Sequence, residues 1–413
     1  MAMHELRGEV EVVFVRNHQI MLGRADGADP WALPAAELRQ SDVAASEVVQ
    51  RLAAELGLTL LGEARLLGSV KEPAEDPLFL QLMANVCGQP SQDSSDASSR
   101  RHWAWFPLAD VPETCRARCQ QTIAEASEQV VRDAVTAFDS LFAQLADTPL
   151  LADINRAVLG TDIGQYGFLS ASELVRILDL ARSVAEGPIL EIGAGQGGLA
   201  CALAKAGRSV VALEPSPVAL LSLRMNARIQ GIGELSSHRG RAERFCDLDS
   251  GEELASGRFA AVVGADFSYF VSELDRFARE AFRVLRPGGQ LLFAAVCPVS
   301  ANDVVDSLVC GPFMRVPDRI VRLLTGVGFR VLGMEDWTPG YAEVVRKYLA
   351  ATNDRIDVLR DAIGTDAVRS WLNEFTVEQA LLKNARIVRL LFRAEKSRDR
   401  ELAAASYVPS SDA

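Results

Sequence analysis

The chain reads as an α/β protein of two domains, with a mainly parallel sheet flanked by helices in its C-terminal part. Three observations predict this. Its 413 residues exceed what one ordinary core organises. From Thr161 onward, apolar strand-like runs alternate with helical patterns, as expected when crossover helices join parallel strands. One of those runs, Ile189-Leu190-Glu191-Ile192, passes into a glycine-rich turn and then a helical stretch.

The elements follow in order. Residues 1–112 form a mixed α+β domain. Val10–Val15 and Gln19–Leu22 are strands around the short turn Arg16-Asn17-His18, and Val43–Leu56 is a helix that stops at Gly57. Strands follow at Ala64–Val70, Leu78–Val86 and His102–Phe106, with an exposed Ser-rich loop over Gln89–Arg101. Residues 113–160 lack glycine until Gly160 and carry apolar residues at helical spacing, which predicts a helical linker of one long and one shorter helix. In residues 161–396 the predicted strands are Pro188–Ile192, Ser209–Leu213, Ala260–Val263, Gln290–Ala295 and Phe329–Trp337. A helical region over Tyr341–Asn384 and a final strand over Ala385–Glu395 complete that domain. Residues 397–413 are a tail.

Composition narrows the function. Apolar residues make up 49% and charged residues 24%, which is the balance of a folded chain. The net charge of −12 comes with no basic block, so no surface is built to displace counterions from nucleic acid. Seven scattered cysteines give no metal framework. Cys115 and Cys119 share a helical face, but no second ligand pair lies nearby, and reduced thiols in a cytoplasmic protein are expected. No apolar run reaches the ~20 residues that span a bilayer, so no membrane is expected.

The densest information lies in Glu191-Ile192-Gly193-Ala194-Gly195-Gln196-Gly197. Glycines let the backbone turn tightly and leave no Cβ to block a ligand lying against it. The next strand ends in Glu214, where a carboxylate can accept both hydroxyl protons of a ribose. The spacing of the turn, with an acid already at Glu191, departs from the Gly-x-Gly-x-x-Gly of nicotinamide enzymes. Further on, Phe259–Gly264 runs into Ala265-Asp266-Phe267, and Leu285-Arg286-Pro287-Gly288-Gly289 precedes another strand.

In this order and at these distances, the four pieces resemble class I S-adenosylmethionine-dependent methyltransferases. The resemblance implies a Rossmann-like sheet and S-adenosylmethionine as cofactor. Gly164–Leu174, Gly311–Pro317 and the closing region through Lys396 look like a bacterial small-molecule group in which inserted helices form a lid over an apolar substrate pocket. By this resemblance Gly193, Gly195 and Gly197 face the cofactor and Glu214 takes the ribose. Gln165 and Tyr166 lie near the methionine end, and Asp266 faces the reaction centre.

Two departures stand out. Where the group places an Asp-Ala pair over the adenine amino group, this chain has Arg241-Ala242-Glu243, and Arg241 cannot accept that hydrogen bond. Either Glu243 contributes or Ala242 acts through its backbone. Beyond Asp266 the group often carries a polar pair, and here Tyr269-Phe270 stands in its place. His238 is the only histidine after Pro107, so the usual imidazole base is missing. The nucleophile then needs no base, or a carboxylate or Tyr269 serves, or the reaction is not methyl transfer.

In the first domain, Trp31–Glu37 followed by Gln50–Leu58 resembles a Nudix box, which holds divalent metal on a diphosphate through several glutamates of one helix. Its usual Gly-Gly is Ala35-Ala36, and of its helix carboxylates Glu55 survives. The resemblance therefore implies a degenerate domain that hydrolyses nothing and instead docks a partner, covers the pocket or forms a homodimer.

The expected function is methylation of a small, partly apolar metabolite in biosynthesis, with Asp266 and Tyr269 as catalytic candidates. The alternatives are a methyltransferase-fold enzyme performing non-methylating chemistry such as ring closure, and a non-catalytic scaffold.

Overall fold

The computed structural model describes residues 9–16, 19–24, 32–37, 45–56, 58–60, 65–71, 78–87, 102–107, 150–164, 167–271, 273–300 and 314–397. Cys115, Arg132, Val135, Thr136 and Asp139 are described singly. The expected loop at 89–101, nearly all of the linker before residue 150 and the tail lie outside the described residues. Internal contacts divide the chain into two units, Met1–Val130 and Val131–Ala413.

The first unit is a mixed sheet with one described helix. Strand β1 (Glu9–Arg16) pairs antiparallel with β2 (Gln19–Arg24) and β3 (Ala35–Glu37). Helix α1 (Ala45–Glu55) and β4 (Thr59–Leu60) follow, then β5 (Arg65–Lys71), β6 (Leu78–Cys87) and β7 (His102–Pro107). The pairings of longest range are β6 parallel to β1 and β7 antiparallel to β2. Helix α1 buries Val48, Val49, Leu52 and Ala53 along its apolar stripe, while Gln50, Ala54 and Glu55 stay exposed.

The second unit holds a seven-stranded sheet in the order β10-β9-β8-β11-β12-β14-β13. Its elements are α2 (Leu150–Leu159), α3 (Ala171–Ser183), β8 (Ile189–Ile192), α4 (Gly198–Lys205), β9 (Val210–Glu214), α5 (Pro217–Ile229), β10 (Leu235–Arg239) and β11 (Phe259–Ala265). Helix α6 (Leu274–Val284), β12 (Leu285–Pro298), α7 (Pro317–Val327), β13 (Phe329–Asp336), α8 (Thr338–Asp354), α9 (Ile356–Ile363), α10 (Thr365–Lys383) and β14 (Ile387–Lys396) complete it. Strand β14 runs antiparallel to both β12 and β13, while β8 to β11 pair in parallel. The central strands are mainly apolar because helices cover both faces, with Glu191, Glu214 and Arg389 as buried charged exceptions.

One face carries α6 and α7 over Phe277, Phe293, Phe329 and Phe392, with Phe293 stacked on Phe392 at 5.1 Å and 18°. The other carries α3, α4 and α5 over Ile177, Leu199, Leu203 and Leu223. Helices α8, α9 and α10, inserted before β14, pack with α2 around Tyr348, Leu359 and Val368 as a separate layer.

Two details differ from the sequence expectation. Strand β10 is absent from the predicted strands because Leu235-Ser236-Ser237-His238-Arg239 is polar, as suits an edge strand with one neighbour. The Leu285–Gly289 segment, expected as a turn, is a bulge inside β12: Phe259 faces Leu285 while Ala261 faces Gln290.

Helix α3 starts on a capping box. The Glu173 amide donates to Ser170 Oγ at 3.4 Å, and the Ser170 amide donates to Glu173 Oε2 at 2.9 Å. Ser170→Ala should cost about 1 kcal/mol. Urea denaturation checks this, and Ser170→Thr should recover most of the loss.

Candidate functional site

Strand order reverses between β8 and β11, and the crevice beyond their C-terminal ends is where such sheets bind ligands. A cavity of about 330 Å³ lies there. Its floor is the glycine turn after β8, Glu214 at the end of β9, the loop after β10 and Asp266 after β11. Its roof comes from Phe168, Tyr348 and α10.

The glycine turn does two jobs. Gly193 and Gly197 adopt φ of 68° and 82°, and an added Cβ would lie 2.8 Å from Phe267 Cβ and 2.5 Å from Leu223 Cγ. These two glycines answer to packing. Gly195, at φ 52°, has open space where its Cβ would be, so it is the position that leaves room for a ligand.

Glu214 is anchored from behind. Its Oε2 accepts from the Gly195 amide at 2.9 Å and its Oε1 from the Ser216 amide at 3.0 Å. Each oxygen keeps further acceptor capacity toward the cavity it lines. Burial pushes its carboxyl above the usual range, against the pull of those two amides. Ser216 in turn caps α5 and hydrogen-bonds Asp139. Glu191, on β8, is buried, and its carboxyl is pushed well up by burial first and by Glu214 second.

Arg241, Ala242 and Glu243 all line the cavity. The Arg241 Nε to Glu243 Oε2 separation is 3.8 Å, too long for a hydrogen bond. Glu243 Oε1 is buried with no hydrogen-bond partner among the described residues, and burial raises its carboxyl. An acceptor oxygen without a partner among the described residues thus lies beside Ala242.

Asp266 is committed elsewhere. It adopts φ 57°, and its Oδ2 accepts from the Phe168 amide at 2.8 Å. Arg389 on β14 donates to Oδ1 at 2.5 Å and to Oδ2 at 3.2 Å, and also to Glu173 Oε1 at 2.9 Å. Arg389 is completely buried and its guanidinium sits 5.3 Å from the Tyr341 ring centre. The capped start of α3, the end of β11 and β14 are therefore locked by one cation. Sequence reasoning passed over Arg389 and Glu173; an arginine inside the apolar run Ile387–Leu391 was the available signal.

Tyr269 falls in the single 3₁₀ turn Ser268–Phe270 after β11; its side chain, and all of Gln165 and Tyr166, lie outside the described residues. His238 pairs with Asp247 at 2.8 Å and does not line the cavity. Among the described residues, no helix is long and apolar enough to cross a membrane.

Residues 190–293 match the family described as "Methyltransferase domain". Ribosomal protein L11 methyltransferase of Geobacillus kaustophilus is 29% identical over 126 residues, which cover 30% of this chain and 37% of that protein. Its counterpart in Halalkalibacterium halodurans is 30% identical over the same shares. The chain thus spans little more than a third of the curated relatives it matches. Among solved structures, phosphoethanolamine N-methyltransferase 2 of Haemonchus contortus, in complex with phosphomonomethylethanolamine and S-adenosylhomocysteine, superposes with a TM-score of 0.51 at 16% identity. That match covers 62% of this chain and 59% of the other. A mycolic acid cyclopropane synthase complexed with S-adenosylhomocysteine superposes with a TM-score of 0.50 at 18% identity, covering 62% and 98%. These likenesses establish the fold of the second unit as the Rossmann-like methyltransferase fold.

Proposed function

We propose that the second unit binds S-adenosylmethionine and transfers its methyl group to a small, partly apolar metabolite. The observation that carries this reading is Glu214, pinned by two backbone amides at the rim of the open Gly195 turn, in a cavity roofed by aromatic rings. The residues fit that cofactor. Glu214 accepts from the ribose hydroxyls, Gly195 leaves space for the chain, and the unpaired Glu243 Oε1 accepts from the adenine amino group. Bound there, S-adenosylmethionine supplies an electrophilic methyl on a good leaving group.

The protein's own contribution is alignment and exclusion of water. Asp266 is a positioning residue, because Arg389 and the Phe168 amide hold its carboxylate. Through it the Phe168 ring is set in the cavity wall. Phe168 meets Tyr341, Tyr348 and Phe375 edge-on at 5.1, 6.1 and 6.3 Å.

A second reading, ring closure without methyl transfer, is favoured by one feature: no histidine lines the cavity among the described residues. Mass analysis of products separates the two, since methyl transfer adds one methylene to the acceptor while ring closure leaves the carbon count unchanged. For the first unit, the Nudix-like reading assigns the domain a docking role rather than hydrolysis, with Glu55 as the one remaining box carboxylate of α1. The binding partner in that role is another protein or a second copy of this chain. Glu243→Gln should weaken S-adenosylhomocysteine binding about 3- to 10-fold, by turning one acceptor oxygen into a donor that faces the adenine amino group. Calorimetric titration reads the change.

A further inference from the structure

We propose that Glu374 and Glu378, on the cavity-facing side of α10, recognise the positively charged amino group of the acceptor, so that this site takes a small aromatic or aliphatic amine. The proposal rests on the methyl-transfer reading above and names its substrate class.

The two glutamates are four residues apart, one helical turn, and both line the cavity. Glu378 is only 4% exposed, and its Oε2 has no hydrogen-bond partner among the described residues. A buried carboxylate at a cavity wall is a costly arrangement unless a ligand completes it. The surroundings favour a cation. Tyr348 and Phe375 stack at 5.1 Å and 12°, Trp371 lines the same wall, and aromatic faces attract ammonium groups. The Tyr348 hydroxyl is turned away to Asn155 at 2.9 Å, so the ring serves as wall and not as donor.

Among the described residues, no cation forms an ion pair with Glu374 or Glu378. The groups facing Glu378 are Glu374 on its own helix, Tyr341 from α8, Asp266 after β11 and Arg389 from β14. Arg389 is spent on Asp266 and Glu173. Arg241, the other arginine at the cavity, belongs to the loop after β10, three strands from Asp266. Burial first, and the charge of Glu374 next, push the Glu378 carboxyl up to about 8, while the Tyr341 hydroxyl and Arg389 pull it down. Burial raises Glu374 as well.

These groups also give the acceptor a route to reactivity without imidazole. The bound ammonium passes one N–H proton to the Glu378 carboxylate, leaving a neutral amine and a carboxylic acid. The nitrogen lone pair then forms the N–CH₃ bond as the S–CH₃ bond breaks. The bonding pair stays on sulfur, and the positive charge moves to the methylated nitrogen.

The test is calorimetric titration of three probes of one shape: 2-phenylethylammonium, 2-phenylethanol and phenylacetate, each with and without S-adenosylhomocysteine. The ammonium should bind at least about 10-fold tighter than the alcohol, and the anion should not bind. Because the cation favours ionised Glu378, its binding releases a proton, and its affinity should rise from about pH 6.5 to about pH 8 while that of the alcohol stays flat. The Glu374→Gln, Glu378→Gln double variant keeps side-chain size. It should lose the preference and keep its affinity for S-adenosylhomocysteine. Equal affinity for alcohol and ammonium, no binding of the ammonium, or a preference surviving in the double variant overturns the proposal. A preference for the ammonium in protein that does not bind S-adenosylhomocysteine keeps the amine site and removes the methyl-transfer reading.

Discussion

Glu214→Ala should reduce affinity for S-adenosylhomocysteine by about 100-fold or more, with the fold intact. The side chain would accept two ribose hydroxyls, and hydrogen bonds to a charged group contribute roughly 1.5–3 kcal/mol each, against about 1.4 kcal/mol per tenfold in affinity. Truncation also leaves the Gly195 and Ser216 amides without their acceptor, so the turn loosens at the point where the ligand lies. Glu214→Gln should lose less, because one amide oxygen still accepts. A pH dependence follows. Burial raises the Glu214 carboxyl, and two donated hydrogen bonds favour its charged form, so binding expels a proton and weakens on acidification. Titration across pH in the wild type and both variants reads all three effects.

Arg389→Met should be the most destabilising single change in the second unit, at about 3–5 kcal/mol. The guanidinium makes three hydrogen bonds to two carboxylates and is itself fully buried. Methionine fills much of the volume but leaves Asp266 and Glu173 as buried anions with no cation between them. The loss therefore comes from uncompensated charge rather than from a cavity. The Glu173→Gln, Asp266→Asn, Arg389→Met triple variant should recover part of the stability that the single change loses, which a cavity would not allow. Urea denaturation of the wild type and both variants measures the contrast.

What the sequence made legible follows from which forces act locally. Strands β8, β9 and β11 are read correctly because helices cover both their faces and nearly every residue is apolar, the exceptions being the site acids Glu191 and Glu214. Strand β10 escapes because an edge strand carries polar residues that a loop also carries. The glycine turn and Glu214 are legible because strand, turn and acid lie within one short span of chain. The ion triad is not, since Arg389 meets partners 216 and 123 residues away, and local pattern contains no information on that pairing. Glu374 and Glu378 lie in the helical region predicted over Tyr341–Asn384, where local pattern does not single them out. Their burial appears only when α8, α9 and α10 close over the sheet. Two of the three turn glycines were read as clearing space for a ligand, whereas Phe267 and Leu223 occupy that space.

The central claim is that this cavity holds S-adenosylmethionine. Calorimetric titration of the full chain with S-adenosylmethionine and S-adenosylhomocysteine tests it most directly. One site per chain with a dissociation constant on the order of micromolar is the predicted result. A folded protein that gives no binding heat and no thermal stabilisation with either compound would contradict it.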